Sequence, residues 1–332
     1  MTEPQYHALP DELSVLVSQH WQHFVESGHR IPDCHLDGLP RVWAGSDYVA
    51  QQFQRDPGLG QWLQDSDPTQ PLAEASLRQT VRELLGDCDN EDELKRALRR
   101  LRHRHMVRII WRDLAGMGDY HTTVADLSLL ADTLIQEALS VLHDWACEKS
   151  GTPLGPDGKP VQLVVLAMGK LGARELNVSS DIDLIFAYEH EGEIEGDRRS
   201  LSHHQFFVRL GQQLIKALDQ PTADGFVFRV DMRLRPWGKS GVLAIGFDAM
   251  EGYYETQGRE WERYALIKMR PVGGDLQAGK RLIKRLNPFV YRRYIDYGAF
   301  HSLREMKSLI EREVNRKGMQ ADVKLGAGGI RE

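Results

Sequence analysis

At 332 residues and 37.8 kDa, the chain is long enough for two domains or one elaborated one, taking roughly 100–200 residues per domain. Hydrophobic residues at 41% and charged residues at 27% exclude a disordered chain, and no run approaches the ~18 apolar residues of a membrane span. A net charge of −6 and a pI of about 6.1 exclude a protein that binds nucleic acid by neutralising phosphates over its whole surface, although a local basic face is compatible with them.

The N-terminal MTEPQYHALPDELSVLV lacks the basic start and apolar stretch of a signal peptide, so a cytoplasmic protein is expected. Residues 1–150 read as mostly helical, with apolar residues at three- and four-residue spacing and Pro32, Pro40, Pro57, Pro68 and Pro71 as punctuation. Asn90, followed three residues later by Glu93, predicts a helix start with a capping-box pattern. Leu94, Leu98, Leu101 and Ile109 give that helix an apolar stripe, while Lys95, Arg96, Arg99, Arg100, Arg102, Arg104 and Arg108 fall on its other faces. Such a run reads first as a solvated or domain-facing surface and second as a binding face for a phosphate or acidic partner. A second helix is expected over 124–145. Cys34, Cys88 and Cys147 lack Cys-x-x-Cys spacing, so neither a disulfide framework nor a structural zinc site is expected.

The Gly- and Pro-rich segment 151–160 reads as a linker or hairpin. It divides an expected helical N-terminal region, 1–150, from a second domain, 151–332. There, short apolar runs predict strands over 163–168, 180–188 and 226–234, with a helix over 204–218 between the last two. A helical pattern returns over about 248–316. No internal repeat or low-complexity tract interrupts the chain.

The chemistry concentrates in the second domain. In a strand starting at Ser180, Asp181 and Asp183 project from one face while Ile182, Leu184 and Phe186 pack on the other. Two carboxylates about 5 Å apart repel by about 3 kcal/mol at an effective dielectric near 20, so a cation or a shared proton is needed. An oxygen-only donor set suits Mg²⁺. Asp65/Asp67 and Asp87/Asp89 share the spacing but lie in loop-like sequence, where solvated carboxylates are expected. If the 226–234 strand lies beside the first, Asp231 completes a three-carboxylate metal site, flanked on the same face by Arg233 and Arg235, which could fork onto phosphate oxygens. A structural salt-bridge ladder is the alternative. Gly169 allows backbone approach to a phosphate, and Ser180 offers a hydroxyl.

Gly169-Lys170, then Asp181-x-Asp183 on a strand and Asp231 on a later strand, resemble the nucleotidyltransferase superfamily with its DNA polymerase β-like palm. The longer segments 168–186, 233–241 and 322–332, together with 107–114, resemble the family of bifunctional glutamine synthetase adenylyltransferase/adenylyl-removing enzymes. The resemblance implies an α+β fold, a mixed-sheet palm preceded and followed by helical segments. It implies Asp181, Asp183 and Asp231 as catalytic ligands of Mg²⁺, two ions in all, and Gly169, Lys170, Ser180, Arg233 and Arg235 as contacts to a nucleotide (ADP or ATP) and phosphate. Lys324 and Arg331 fall in a family motif with no role derivable from the residues. Family members carry two tandem halves, and this sequence, with one triad and an end inside a motif, is expected to be an N-terminal piece. Its Asn177-Val-Ser-Ser180 variant resembles the adenylyl-removing half. The implied reaction is phosphorolysis of AMP-tyrosine on glutamine synthetase, releasing ADP. The alternatives are forward adenylylation from ATP at the same kind of site, and a non-catalytic module that senses nucleotide or a PII-type signal protein. Nucleic acid and membrane are not expected partners.

Overall fold

The computed structural model describes residues 4, 9–194, 200–291 and 297–318; the 322–332 motif, with Lys324 and Arg331, lies outside them. The N-terminal part is helical as expected, in α1 (Asp11–Glu26), α2 (Leu39–Gly45), α3 (Asp47–Arg55), α4 (Leu59–Asp65), α5 (Glu74–Gly86), α6 (Glu91–Leu114) and α7 (Tyr120–Ser150). Asn90 caps α6, its side chain accepting from the Asp92 and Glu93 N–H groups. Glu93 answers on the Asp89 N–H (3.0 Å) rather than on the cap residue.

The basic run on α6 divides. Lys95, Arg99, Arg108 and Arg112 are buried, so α6 is a central helix enclosed on several sides rather than one with a single apolar stripe. Two of its inward guanidinium groups, those of Arg99 and Arg108, are held by backbone carbonyls: Arg108 donates to Ser66, Asp67 and Gln70 at 2.7–3.1 Å. Arg99, fully enclosed, donates to Lys95, Ala217, Gln220 and Gly225. Arg96 and Arg100 face outward.

The second part runs β1 (Val164–Ala167), α8 (Gly169–Gly172), β2 (Ile182–Tyr188), β3 (Glu193–Ile194), β4 (Leu201–Ser202), α9 (His203–Asp219), β5 (Val230–Asp231), β6 (Ala244–Gly246), α10 (Phe247–Thr256), α11 (Glu260–Leu266), β7 (Arg270–Gly274), α12 (Leu276–Val290) and α13 (Tyr297–Arg316). A mixed sheet is ordered β5-β2-β1-β7, with β6 also on β2. β1 is antiparallel to β2 and β7, while β5 and β6 run parallel to β2. Side-chain alternation sends Val165, Ala167, Ile182, Leu184 and Phe186 into a core shared with α7 and α9. Val164, Leu166, Ile185 and Ala187 go into a second core under α10 and α12. The first core extends continuously from Val17 on α1 to Val272 on β7. The chain is thus α+β with a mixed sheet.

Two expected spans are corrected. The 226–234 strand is confined to Val230–Asp231, because the Asp231 carboxylate accepts the Arg233 N–H (2.8 Å) and turns the chain. The helical pattern over 248–316 is interrupted by β7, whose Pro271, Gly273 and Gly274 carry little strand propensity and which pairs with β1 far back in sequence. Among the described residues no helix is long and apolar enough to cross a membrane.

Candidate active site

The register of β2 decides which carboxylates meet. Across the parallel contact Ile182 pairs with Val230 and Asp183 with Asp231, setting the two aspartate backbones side by side at about the 4.8 Å strand spacing. Asp181 stands just ahead of β2, next to the point where the Ile182 N–H donates to the Arg229 carbonyl (2.9 Å). On the opposite side of β2, the Met168 N–H donates to the Asp183 carbonyl (2.8 Å), and Gly169 opens α8 at φ +55°. A Cβ there would lie 2.6 Å from Asp183 Oδ2. Glycine is therefore required both for the left-handed backbone and for room beside the carboxylate.

Gly169, Lys170, Ser180, Asp181, Asp183, Asp231 and Arg233 all line one cleft of about 680 Å³, together with Asn177, Ser179, Arg229 and Lys268. The Lys170 ammonium donates to Ser180 Oγ (3.2 Å), and that hydroxyl donates to Asn177 Oδ1 (2.5 Å). Arg235 is not brought into the cleft. Its guanidinium donates to the carbonyls of Met232 (2.7 Å), Lys239 (3.2 Å) and Gly241 (3.2 Å), closing the 232–241 loop from within. The strand alternation that would have set Arg235 beside Asp231 ends at the turn after Asp231. Trp237 on that loop adopts φ +58° and packs at a tilt against Tyr253 with ring centroids 4.4 Å apart.

The expected repulsion among the carboxylates is relieved by arginine. Arg229 pairs with Asp181 and donates to the Ser179 carbonyl (2.6 Å). Arg233 clasps Asp231 through Nε (2.7 Å) and a terminal nitrogen (2.5 Å), which holds the Asp231 carboxyl below the usual carboxylate range. The salt-bridge alternative is thus the side-chain arrangement present. Among the described residues no group of three acidic, His or Cys side chains is gathered so as to hold a metal ion. The donor chemistry nonetheless fits a hard cation, since three carboxylates open on one cleft with no sulfur or imidazole among its lining residues. A metal bound by all three requires Arg229 and Arg233 to turn off Asp181 and Asp231.

Residues far away in sequence fasten this site. Arg270 on β7 forms a bidentate pair with Asp132 of α7 (2.7 and 3.1 Å) and donates to the Leu171 (2.8 Å) and Gly172 (3.2 Å) carbonyls of α8. Burial raises the Asp132 carboxyl pKa despite that partner. Ser128 Oγ on α7 accepts the Leu176 N–H (3.2 Å). Arg229 carried a signal in the sequence, since it lies two residues before Asp231; Lys268 and the Arg270–Asp132 clasp carried none, because long-range packing brings them there.

A family profile described as "Glutamate-ammonia ligase adenylyltransferase" matches residues 36–284. A protein of Pseudomonas aeruginosa named bifunctional glutamine synthetase adenylyltransferase/adenylyl-removing enzyme is 55% identical over 91% of this chain and 31% of its own length. Proteins of the same name from Hahella chejuensis and Thioalkalivibrio sulfidiphilus are 50% and 51% identical, over 97% and 89% of this chain and 34% and 30% of their own lengths. The chain spans about a third of the length of these relatives. The aspartates, the Gly-Lys turn and Arg233 of the cleft all lie within the matched residues, and on that match the chain belongs to the glutamate-ammonia ligase adenylyltransferase family.

Proposed function

We propose that this chain contains a nucleotidyltransferase palm that removes AMP from an adenylylated tyrosine of glutamine synthetase by Mg²⁺-dependent phosphorolysis. The observation that carries the reading is the convergence of Asp181, Asp183, Asp231, Lys170 and Arg233 on one cleft. An oxygen of inorganic phosphate bonds to the α-phosphorus of the AMP-tyrosine as the bond to the tyrosine oxygen breaks. ADP leaves, and the phenolate takes a proton from water. The nucleophile is already an anion and the leaving phenol has a pKa of about 10, so a general base is dispensable. The site must supply charge neutralisation and in-line alignment. Lys170 and Ser180 hold nucleotide phosphate beside Gly169, while Arg229 and Arg233, released from Asp181 and Asp231, turn onto phosphoryl oxygens. Asp181, Asp183 and Asp231 would hold Mg²⁺, which supplies Lewis-acid neutralisation of the phosphoryl charge when bound.

The relatives' name covers both directions, which favours one second reading: adenylyl transfer from ATP to unmodified glutamine synthetase in the same cleft. A sensing module without turnover is disfavoured because it gives no task to three carboxylates that share one cleft with Lys170. Glutamine synthetase is the proposed protein substrate and a PII-type protein a proposed regulator.

The test is a pair of assays with Mg²⁺. Incubation with phosphate and adenylylated glutamine synthetase is expected to release ADP, and incubation with ATP and unmodified synthetase to transfer no AMP. AMP transfer without ADP release reverses the direction; neither product, in this chain and in a full-length relative carrying only this triad, sinks the reading.

A further inference from the structure

A second cleft, of about 440 Å³, opens between α3, α6 and the turn at 222–225, and no residue lining it belongs to the carboxylate site. Arg96, Arg100 and Arg104 stand at four-residue intervals along one face of α6, and Arg55 at the end of α3 faces them. Arg104 is spent on Asp56 in a bidentate pair (2.7 and 3.2 Å). Arg55, Arg96 and Arg100 donate no hydrogen bond and form no ion pair among the described residues, in contrast to the buried Arg99 and Arg108 of the same helix. The Asp224 carboxylate also lines the cleft, so four guanidinium groups face two carboxylates. His103 adds no charge at neutral pH: burial, with Arg102 and Arg55 nearby, keeps its pKa low. Its ring bridges Tyr48 Oη (2.8 Å) and the Asp224 carbonyl (2.7 Å), bracing the turn that forms one wall.

We propose that this cleft is a binding site for a small molecule carrying a di- or triphosphate, separate from the carboxylate site. A concave surface focuses the field of like charges, and planar guanidinium groups from two elements fork onto successive phosphate oxygens. The volume suits a small ligand rather than a nucleic-acid strand. Pro57, Leu59 and Ala223 supply an apolar flank for an organic body attached to the phosphates. Inorganic polyphosphate and a nucleoside polyphosphate share the anionic group, and the flank is what separates them.

The test measures binding of pyrophosphate and of ADP to the whole chain in EDTA, by calorimetry and by thermal shift. With metal chelated, the three carboxylates of the other cleft repel a polyphosphate, so the wild type and the carboxylate-site variant Lys170→Ala/Arg233→Ala are expected to bind pyrophosphate alike. In Arg96→Gln/Arg100→Gln affinity is expected to fall by roughly tenfold per arginine, with an unliganded melting temperature no lower than wild type because the removed charges face one another. Tighter binding of ADP than of pyrophosphate, lost in the same double variant, assigns the ligand to the nucleoside class; equal binding assigns it to inorganic polyphosphate. Undiminished binding in Arg96→Gln/Arg100→Gln, binding lost only in Lys170→Ala/Arg233→Ala, or no binding by the wild type overturns the proposal.

Discussion

Asp181 and Asp231 each hold a guanidinium, and this changes what substitution there should do. In an unrelieved cluster, Asp→Asn would stabilise. Here the Arg229–Asp181 pair is half-exposed and the Arg233 arm of the other pair is well exposed, and such pairs contribute no more than about 1 kcal/mol. Asp181→Asn and Asp231→Asn are therefore expected to shift unfolding free energy by less than about 1 kcal/mol while lowering Mg²⁺-dependent turnover by at least ~10²-fold. Urea melts and turnover assays on the same samples check this, and a large stability loss would make the aspartates structural. His105 on α6 gives a second expectation at this scale. Burial, with Arg108 and Arg104 beside it, lowers its pKa to about 4, and its Nδ1 is buried without a partner. The unfolded chain takes up a proton near pH 6.5 and the folded one only near 4. The folded state is thus fully favoured above pH 6.5 and loses up to about 3 kcal/mol as pH falls to 4. His105→Gln is expected to flatten that acid limb in pH-dependent denaturation.

Among the elements, α8 ends with Leu171 and Gly172 buried against backbone. A Cβ at Gly172 would lie 2.0 Å from the Lys268 carbonyl oxygen and 2.7 Å from that of Ala167. Both are backbone atoms and neither can rotate aside. Gly172→Ala should cost at least ~3 kcal/mol and displace Lys170 from the cleft, seen as a lower melting temperature together with lost activity. Elements written in local pattern were legible in the sequence: α6 from Asn90 and Glu93, α9 from its apolar spacing, β2 from Ile182, Leu184 and Phe186. The carboxylates and the Gly-Lys turn were legible for the same reason, since spacing on a strand and a glycine before it are local features. β7 was not, because pairing with β1 makes a strand of a Pro- and Gly-containing segment. Arg235 was assigned to the wrong surroundings because a side-chain turn at Asp231 ends the alternation on which its placement depended.

For the whole molecule, the buried Arg99 joins the helical part to the part that carries the site. It donates to Lys95 on its own helix and to the carbonyls of Ala217, Gln220 and Gly225 at the end of α9 and in the turn beyond. Arg99→Met would strip this donor from the Ala217 and Gln220 carbonyls, while the Gly225 carbonyl keeps the Thr222 N–H, and should cost about 3–5 kcal/mol. With one core continuous from Val17 to Val272, denaturation is expected to follow a single transition by both tryptophan fluorescence and circular dichroism. Two separated transitions would show that residues 1–150 and 151–332 unfold independently.

The antiparallel partners of β1 also set a timetable for synthesis. β2 follows after a short connection, but β7 arrives about a hundred residues after β1, which at roughly 5–20 residues per second is about 5–20 s later. Until then the Val164–Ala167 edge has neither β7 nor the α12 cover, and an apolar strand with an open edge invites pairing with other chains. The nascent chain therefore passes through an interval of aggregation risk whose length is set by translation speed, and it closes only once β7 has paired with β1 and α12 has covered it.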